Sequence, residues 1–117
     1  MKRSVAMLSV SIAVVGLSCG MPALADVPDT VTISAAKTPA DHEAIAKAYE
    51  AEAASLEKMA GMHKNLGETY SGQAGGKPWH VAQAKHCESV ASDLAAAAKE
   101  ERALAAEHRK MATAAGK

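Results

Sequence analysis

Residues 71–78 read SGQAGGKP, and this stretch separates two long helical patterns. Gly72, Gly75 and Gly76 mark it as a loop, and Pro78 suits the first position of the helix that follows. Because the loop is short, we expect the two helices that it joins to lie side by side and antiparallel. The sequence therefore predicts an all-α fold built on an antiparallel two-helix hairpin.

Local signals mark the bounds of both helices. Thr38 and Asp41 can form a capping box around Pro39, which suits the first position of a helix. Gly116 is a stop signal for the second helix. We predict the first helix over about residues 39–70, the loop over 71–77 and the second helix over about 78–115, all within a hairpin unit of residues 38–117.

Apolar residues recur at spacings of three and four in both segments, which is the period of an amphipathic helix and not of a strand. In the first helix the predicted interface runs through His42, Ile45, Tyr49, Glu52, Leu56, Met59, His63, Leu66 and Tyr70. In the second helix it runs through His80, Gln83, Cys87, Val90, Leu94, Ala97, Glu101, Leu104, His108 and Met111.

The predicted interface is rich in alanine, which buries far less apolar surface than leucine. A lone hairpin of this composition is expected to be only marginally stable. We therefore expect a homodimer, in which two hairpins form a four-helix bundle with a coiled-coil-like core.

Residues 1–25 have the features of a cleaved secretory signal. Lys2 and Arg3 form a short basic start, an apolar run covers residues 5–17, and Ala23-Leu24-Ala25 is a small-x-small cleavage site. The apolar run is shorter than the about 20 residues of a membrane span. We expect cleavage at about Ala25/Asp26, a periplasmic or secreted location and no membrane span in the mature chain.

Two further expectations concern this end of the chain. Residues 26–37 show little periodicity and are predicted to be a flexible lead-in. Lipid modification at Cys19 is disfavoured, because Gly16 stands where lipoproteins usually have an apolar residue.

The composition of residues 26–117 excludes several classes of function. They hold 11 basic and 13 acidic side chains, which gives no basic surface for nucleic acid. Their aromatic residues are limited to Tyr49, Tyr70 and Trp79, too few for a base-stacking platform. Cys87 is their single cysteine, so an intermolecular bridge, a free thiol and a metal ligand are the open alternatives.

Four residues form two matched pairs across the hairpin. His42 and His63 are 21 positions apart in the first helix, and Cys87 and His108 are 21 apart in the second, which returns each side chain to the same helix face. In one antiparallel register the paired residue numbers sum to 150, so that His42 meets His108 and His63 meets Cys87. A faint internal repeat, in which residues 42–66 match 87–111, expresses the same geometry.

The pair next to the loop has a soft set of donors. His63 and Cys87 are joined there by Met59 and Met62, each within one helical turn of His63. Imidazole, thiolate and thioether together suit Cu(I), and imidazole with thiolate also suits Zn(II). The alternative is a narrow core in which methionine fills gaps and cysteine acts as a small apolar residue.

The pair at the open end has fewer donors. His42 and His108 supply two imidazoles, with Met111 one turn further on. Two imidazoles alone form an incomplete zinc site, so a dimer partner or water would have to complete it. Two histidines hydrogen-bonded to glutamate or water near the helix ends are the alternative, and the sequence favours that alternative slightly.

Glu52 and Glu101 fall on the predicted interface near Tyr49, where the Tyr49 hydroxyl is a candidate partner for Glu101. Paired glutamates can indicate a di-iron centre, but that centre needs Glu-x-x-His, which the chain lacks. A role in fixing the register of the helices is the simpler interpretation.

The sequence thus predicts an exported helical protein that binds a transition metal for storage, buffering or resistance, with copper favoured and zinc possible. The predicted ligands are His63, Cys87, His42 and His108, with Met59, Met62 and Met111 for copper only. A structural or chaperone-like interaction protein without metal is the alternative. No catalytic arrangement of side chains is evident, so we do not expect an enzyme.

Overall fold

A computed structural model describes residues 28–73, 75 and 77–117 of the chain. The predicted signal segment and its cleavage site lie outside these residues. The described part contains three helices, α1 (Thr30–Ala35), α2 (Pro39–Gly72) and α3 (Pro78–Ala115), and no strand. The two long helices pack against each other, which confirms the all-α class and the helical hairpin.

The lead-in differs from the expectation of a flexible segment, because it contains the short helix α1. The Asp29 carboxylate caps α1 by accepting a hydrogen bond of 2.7 Å from the Thr32 amide. Ile33 and Ala36 then pack against the buried cluster that includes Ile45 and Tyr49. Cap and apolar contact together order six residues whose short pattern is too weak to read as a helix.

The start of α2 follows the sequence signal. The Thr38 hydroxyl accepts from the Asp41 amide at 3.1 Å, and the Asp41 carboxylate accepts from the Thr38 amide at 2.9 Å. This capping box satisfies amides that have no partner within the helix, with Pro39 at the first turn. α2 continues unbroken through Gly61 and Gly67.

Contacts at both ends show that α2 and α3 are antiparallel. At the open end, opposite the loop, Nδ1 of His42 lies 3.2 Å from Nδ1 of His108. At the loop end the rings of Tyr70 and His80 lie 6.3 Å apart between centroids. In both pairs the residue numbers sum to 150, so the register predicted from the sequence is the one observed.

Small residues hold the centre of the interface. They recur every seven positions and comprise Ala46, Ala53, Ala60 and Gly67 in α2, with Ala84, Ala91, Ala98, Ala105 and Ala112 in α3. Ala46 and Ala53 are completely buried, and Ala98 and Ala105 are nearly so. At Gly67, an added Cβ would lie 3.4 Å from the Ala84 carbonyl oxygen, so the two backbones are very close there.

This packing corrects the interface predicted for the second helix. Gln83, Ala97, Leu104 and Met111 are exposed, while Ala84, Ala98 and Ala105 are buried in their place. The periodicity of the larger apolar residues predicts a different set of contacts from the one that is observed. Close helix approach instead selects the smallest side chains for the centre and moves the larger ones to its edge.

The two sides of the hairpin are chemically different. One side, the ion-pair face, comprises Glu43, Glu50 and Glu57 on α2 with Arg102 and Arg109 on α3. Arg102 donates two hydrogen bonds to Glu57, at 3.0 and 2.7 Å. The opposite side, the open face, comprises Ile45, Glu52, Met59 and Leu66 on α2 with Val90, Ala97, Leu104 and Met111 on α3.

Replacing Ala53 by leucine tests the small-residue interface. The added side chain has no space between the helices, so we expect Ala53→Leu to lower the free energy of unfolding by about 1–3 kcal/mol. Ala54→Leu is the matched control, because Ala54 is exposed on the same helix. Urea unfolding followed by circular dichroism measures both variants, and equal stabilities would contradict the packing described.

Candidate metal centre

The histidine pair at the open end is a direct contact between potential ligands on the two helices. The His42 and His108 rings are tilted by 38° with centroids 5.4 Å apart, and their Nδ1 atoms face each other at 3.2 Å. At this distance one neutral ring donates its N–H and the other accepts it. His108 is buried and His42 is half-buried, so the pair is largely shielded from solvent.

The same geometry suits a shared metal ion. With metal–nitrogen bonds of about 2.0–2.1 Å and a tetrahedral angle, two imidazole ligands lie roughly 3.3–3.4 Å apart. The Nδ1 separation of His42 and His108 is 3.2 Å. The separation therefore matches that of two ligands of one metal ion, and both rings would turn so that each Nδ1 points at the ion and not at the other Nδ1.

Burial within the interface biases His108 toward its neutral form. The Tyr49 and His108 rings lie 5.7 Å apart between centroids. Burial, and then the nearby charge of His42, lower the pKa of His108 below its ordinary value of 6.5. A neutral imidazole is the form that binds metal.

At the loop end, His63 and Cys87 occupy matching positions on the two helices. Cys87 is 5% exposed and carries a free thiol. The Nδ1 atom of His63 is buried and has no hydrogen-bond partner among the described residues. No hydrogen bond joins His63 to Cys87, so these two potential metal ligands do not engage each other.

The three thioethers predicted as copper ligands differ in burial. Met59 is half-buried on the open face, one turn before His63. Met62 is 54% exposed and Met111 is 46% exposed. Met59 is therefore the thioether closest to the helix interface, and the other two face outward from a single hairpin.

Glu52 and Glu101 lie between the two donor pairs. Glu52 is 7% exposed, and one carboxylate oxygen of each residue is buried without a partner. Burial, and then the charge of Glu52, raise the pKa of Glu101 above its ordinary value. No hydrogen bond between described residues links Tyr49 to Glu101, although that link was a candidate from the register.

His80 is a buried polar residue that the predicted ligand set omitted. Its ring lies between Trp79 and Tyr70, with centroid distances of 3.6 and 6.3 Å, and its Nδ1 atom has no partner among the described residues. The sequence did carry a signal for it, since His80 is seven positions before Cys87 and its number sums with that of Tyr70 to 150.

Neither donor pair forms a complete metal site within one hairpin. Among the residues that the structure describes, no three His, Cys, Asp or Glu side chains come together in a group able to hold a metal ion. Within the same residues, no helix is both long and apolar enough to cross a membrane.

Comparison with protein-family models, with curated proteins and with solved structures finds no significant match to this chain.

The lowered pKa of His108 predicts how the stability of the metal-free protein depends on pH. The unfolded chain binds this proton more tightly than the folded chain, so stability is full above about pH 6.5 and falls as the pH drops toward the folded pKa. We expect His108→Gln to reduce this acid loss, as measured by urea unfolding between pH 7.5 and 5.5 in chelator. His86→Gln, at an exposed histidine, should keep the wild-type slope. Parallel wild-type and His108→Gln curves would contradict the assignment.

The raised pKa of Glu101 predicts that this residue contributes in the opposite direction, with stability increasing as the pH falls. The charged form is disfavoured in the folded chain, so Glu101 costs stability at neutral pH and this cost disappears as the pH falls toward about 4. We expect Glu101→Gln to raise the unfolding midpoint in urea at pH 7 and to lose this advantage on acidification. The control Glu100→Gln changes an exposed neighbour and should have little effect at either pH. A lower midpoint for Glu101→Gln at pH 7 would refute this account.

Proposed function

We propose that the protein binds a transition metal ion between its two long helices, for metal storage, buffering or resistance. The observation that carries the proposal is the 3.2 Å approach of Nδ1 of His42 to Nδ1 of His108, which suits two ligands of one metal ion. The second pair of donors is His63 with Cys87. Met59, Met62 and Met111 are the candidate thioether ligands for copper.

Copper is the favoured metal and zinc the second choice. A buried thiol at Cys87 and a half-buried thioether at Met59 flank the His63 position, and soft sulfur donors select Cu(I). Imidazole and thiolate also suit Zn(II), which prefers four ligands. The distinction therefore depends on whether a thioether participates.

The proposal includes export and self-association. The basic start, apolar run and small-x-small motif of residues 1–25 support secretion or a periplasmic location. Among the described residues, the most completely buried ones are alanines, so a single hairpin has little core of its own. A homodimer that forms a four-helix bundle would supply the missing burial.

The proposal assigns no catalysis. Two surface clefts, of about 720 and 350 Å³, are lined by residues other than the two donor pairs. The donors lie between packed helices and line neither cleft.

A chaperone-like interaction protein is the second candidate. The specific observation in its favour is the exposure of large apolar side chains on the open face, with Leu66 44%, Leu104 43% and Met111 46% exposed. Such surfaces bind other apolar surfaces. This function predicts suppression of client aggregation in the presence of a chelator.

Competition titration with Cu(I), Cu(II) and Zn(II) tests the metal proposal. We expect the purified wild-type protein to bind at least one of these ions stoichiometrically. The double variants His42→Ala/His108→Ala and His63→Ala/Cys87→Ala should each weaken binding by more than roughly 100-fold at the altered end, a loss larger than removing a supporting residue causes.

Matched controls separate ligation from general damage. His86→Ala removes an exposed imidazole adjacent to Cys87 and should leave the affinity unchanged. Met59→Leu should weaken Cu(I) but not Zn(II), because leucine keeps the volume and loses the sulfur. Absence of stoichiometric binding in the wild-type protein, or unchanged affinity in both double variants, would refute the proposal.

A further inference from the structure

We propose that two hairpins pair through their open faces in the same orientation, so that the second copy completes each donor pair into a four-ligand metal site. The open end then holds four histidines, His42 and His108 from each copy. The loop end holds His63 and Cys87 from each copy, which is a Cys₂His₂ site. This inference rests on the proposed metal binding and specifies the partner and the ligand sets.

The donor pairs of one hairpin are incomplete but already positioned. Structural zinc sites are almost always four-coordinate, with sets that include Cys₂His₂. Each end of the hairpin supplies two donors, and no third His, Cys, Asp or Glu joins them among the described residues. A twofold axis that lies between the two hairpins and runs parallel to their helices brings each donor pair next to the same pair of the second copy. Each donor keeps its height along its helix.

The open face is the side of the hairpin that requires a cover. Leu66, Leu104 and Met111 are exposed there, while Glu52 is buried with an unpartnered carboxylate oxygen. The ion-pair face, in contrast, is already occupied by paired charges. The apolar surface that a partner would bury therefore lies on the same side of the small-residue column as the donors.

The residues that meet when two open faces are placed together support a second copy of this chain as the partner. Pairing about this axis sets α2 beside α3 of the second copy at the levels already seen within the hairpin. Met59 then meets Val90 and Glu52 meets Ala97, each pair having numbers that sum to 149. The large apolar residues Met59 and Val90 thus contact each other, and Glu52 faces a small side chain, with Glu101 of the second copy one turn away. At the open end Ile45 is 3% exposed, because Ile33 and Ala36 pack against its cluster, so Leu104 of the second copy packs beside α1 there and not on Ile45.

The reversed orientation is less favourable on the same surface. Matching the His42 level of one copy with the His63 level of the other would bring Glu52 against Glu52 of the second copy, since both lie close to the midpoint. Two buried like charges at one level repel more strongly than Glu52 and Glu101 do when they are one turn apart. Reversal would also leave the layer of Tyr70 and His80 without a counterpart, because it shifts one loop end beyond the other hairpin.

Crosslinking of metal-free protein expressed from the full chain tests the orientation. In the proposed dimer both Cys87 thiols lie near the axis, so a short bismaleimide should join wild-type chains to each other. In the reversed dimer these thiols would be separated by the rise of 21 residues, roughly 31 Å, and would not be joined.

A relocated thiol gives the matched comparison. A mass-tagged Cys87→Ser/His108→Cys variant should crosslink to itself and not to the wild-type chain when the two are mixed. Crosslinks confined to mixed pairs would establish the reversed orientation and overturn the inference. The Cys87→Ser/Ala54→Cys variant, with its thiol exposed on α2, reports collisional crosslinking. Because Cys87 is buried, its reaction with a monofunctional maleimide under the same conditions measures how much of the thiol the reagent reaches. Wild-type protein that is modified by this reagent but gives no crosslinked dimer would also overturn the inference.

Titration with Co(II) as a spectroscopic probe tests the ligand sets. We expect thiolate-to-cobalt charge-transfer absorption to saturate at one ion per two chains, because two Cys87 thiolates share one ion. Saturation at one thiolate-ligated ion per chain would overturn the shared site and leave metal binding by a single hairpin intact. Absence of binding by Co(II), copper and zinc would instead refute the proposed function, whatever the crosslinking shows.

Discussion

The close approach of α2 and α3 along a column of alanines and one glycine determines the rest of this structure. Residues of this size let the backbones come near enough for extensive dispersion contact, which larger side chains would prevent. The same column supplies little apolar burial, because each alanine contributes far less than a leucine. The hairpin is thus closely packed at its centre and poorly covered outside it. The larger side chains are displaced to one edge, where His42, His108, His63 and Cys87 also lie.

The two faces of the hairpin have different roles, since ion pairs on one face fix the register of the helices and the candidate metal ligands lie on the side of the other. On the ion-pair face, Arg102 and Arg109 hold carboxylates of α2 at defined heights along the interface. Exposed ion pairs add little stability, but their geometry opposes sliding of one helix along the other. A slip of one turn, about 5.4 Å, would separate the Nδ1 atoms of His42 and His108, which now lie 3.2 Å apart. Charges on one side therefore maintain the alignment of the donors on the other.

Much of this arrangement could be predicted from the sequence, because strong local signals and simple arithmetic determine it. The capping box at Thr38 and the pairing of His42 with His108 are both observed, and α2 ends at Gly72 and α3 begins at Pro78, on either side of the glycine-rich segment. The prediction of the interface on the second helix was wrong in detail. Periodicity identifies a face of the helix but does not reveal that the smallest residues occupy its centre. Helix α1 depends on the tertiary contact of Ile33, which a single-sequence pattern does not carry. The missing hydrogen bond between His63 and Cys87 also escapes prediction, because rotamers and not residue spacing determine whether the two side chains meet.

The buried polar atoms without partners connect stability to function. Oxygens of Glu52 and Glu101 and nitrogens of His63 and His80 are removed from solvent without hydrogen bonds among the described residues. Each such atom costs free energy in the metal-free hairpin. A metal ion that engages the imidazoles binds the folded chain and not the unfolded one, so its binding free energy adds to the stability of folding. If two copies share the ligands, that free energy also drives association. A marginal hairpin with positioned but unsatisfied donors therefore gains stability from metal, both in its fold and in the dimer that forms without it.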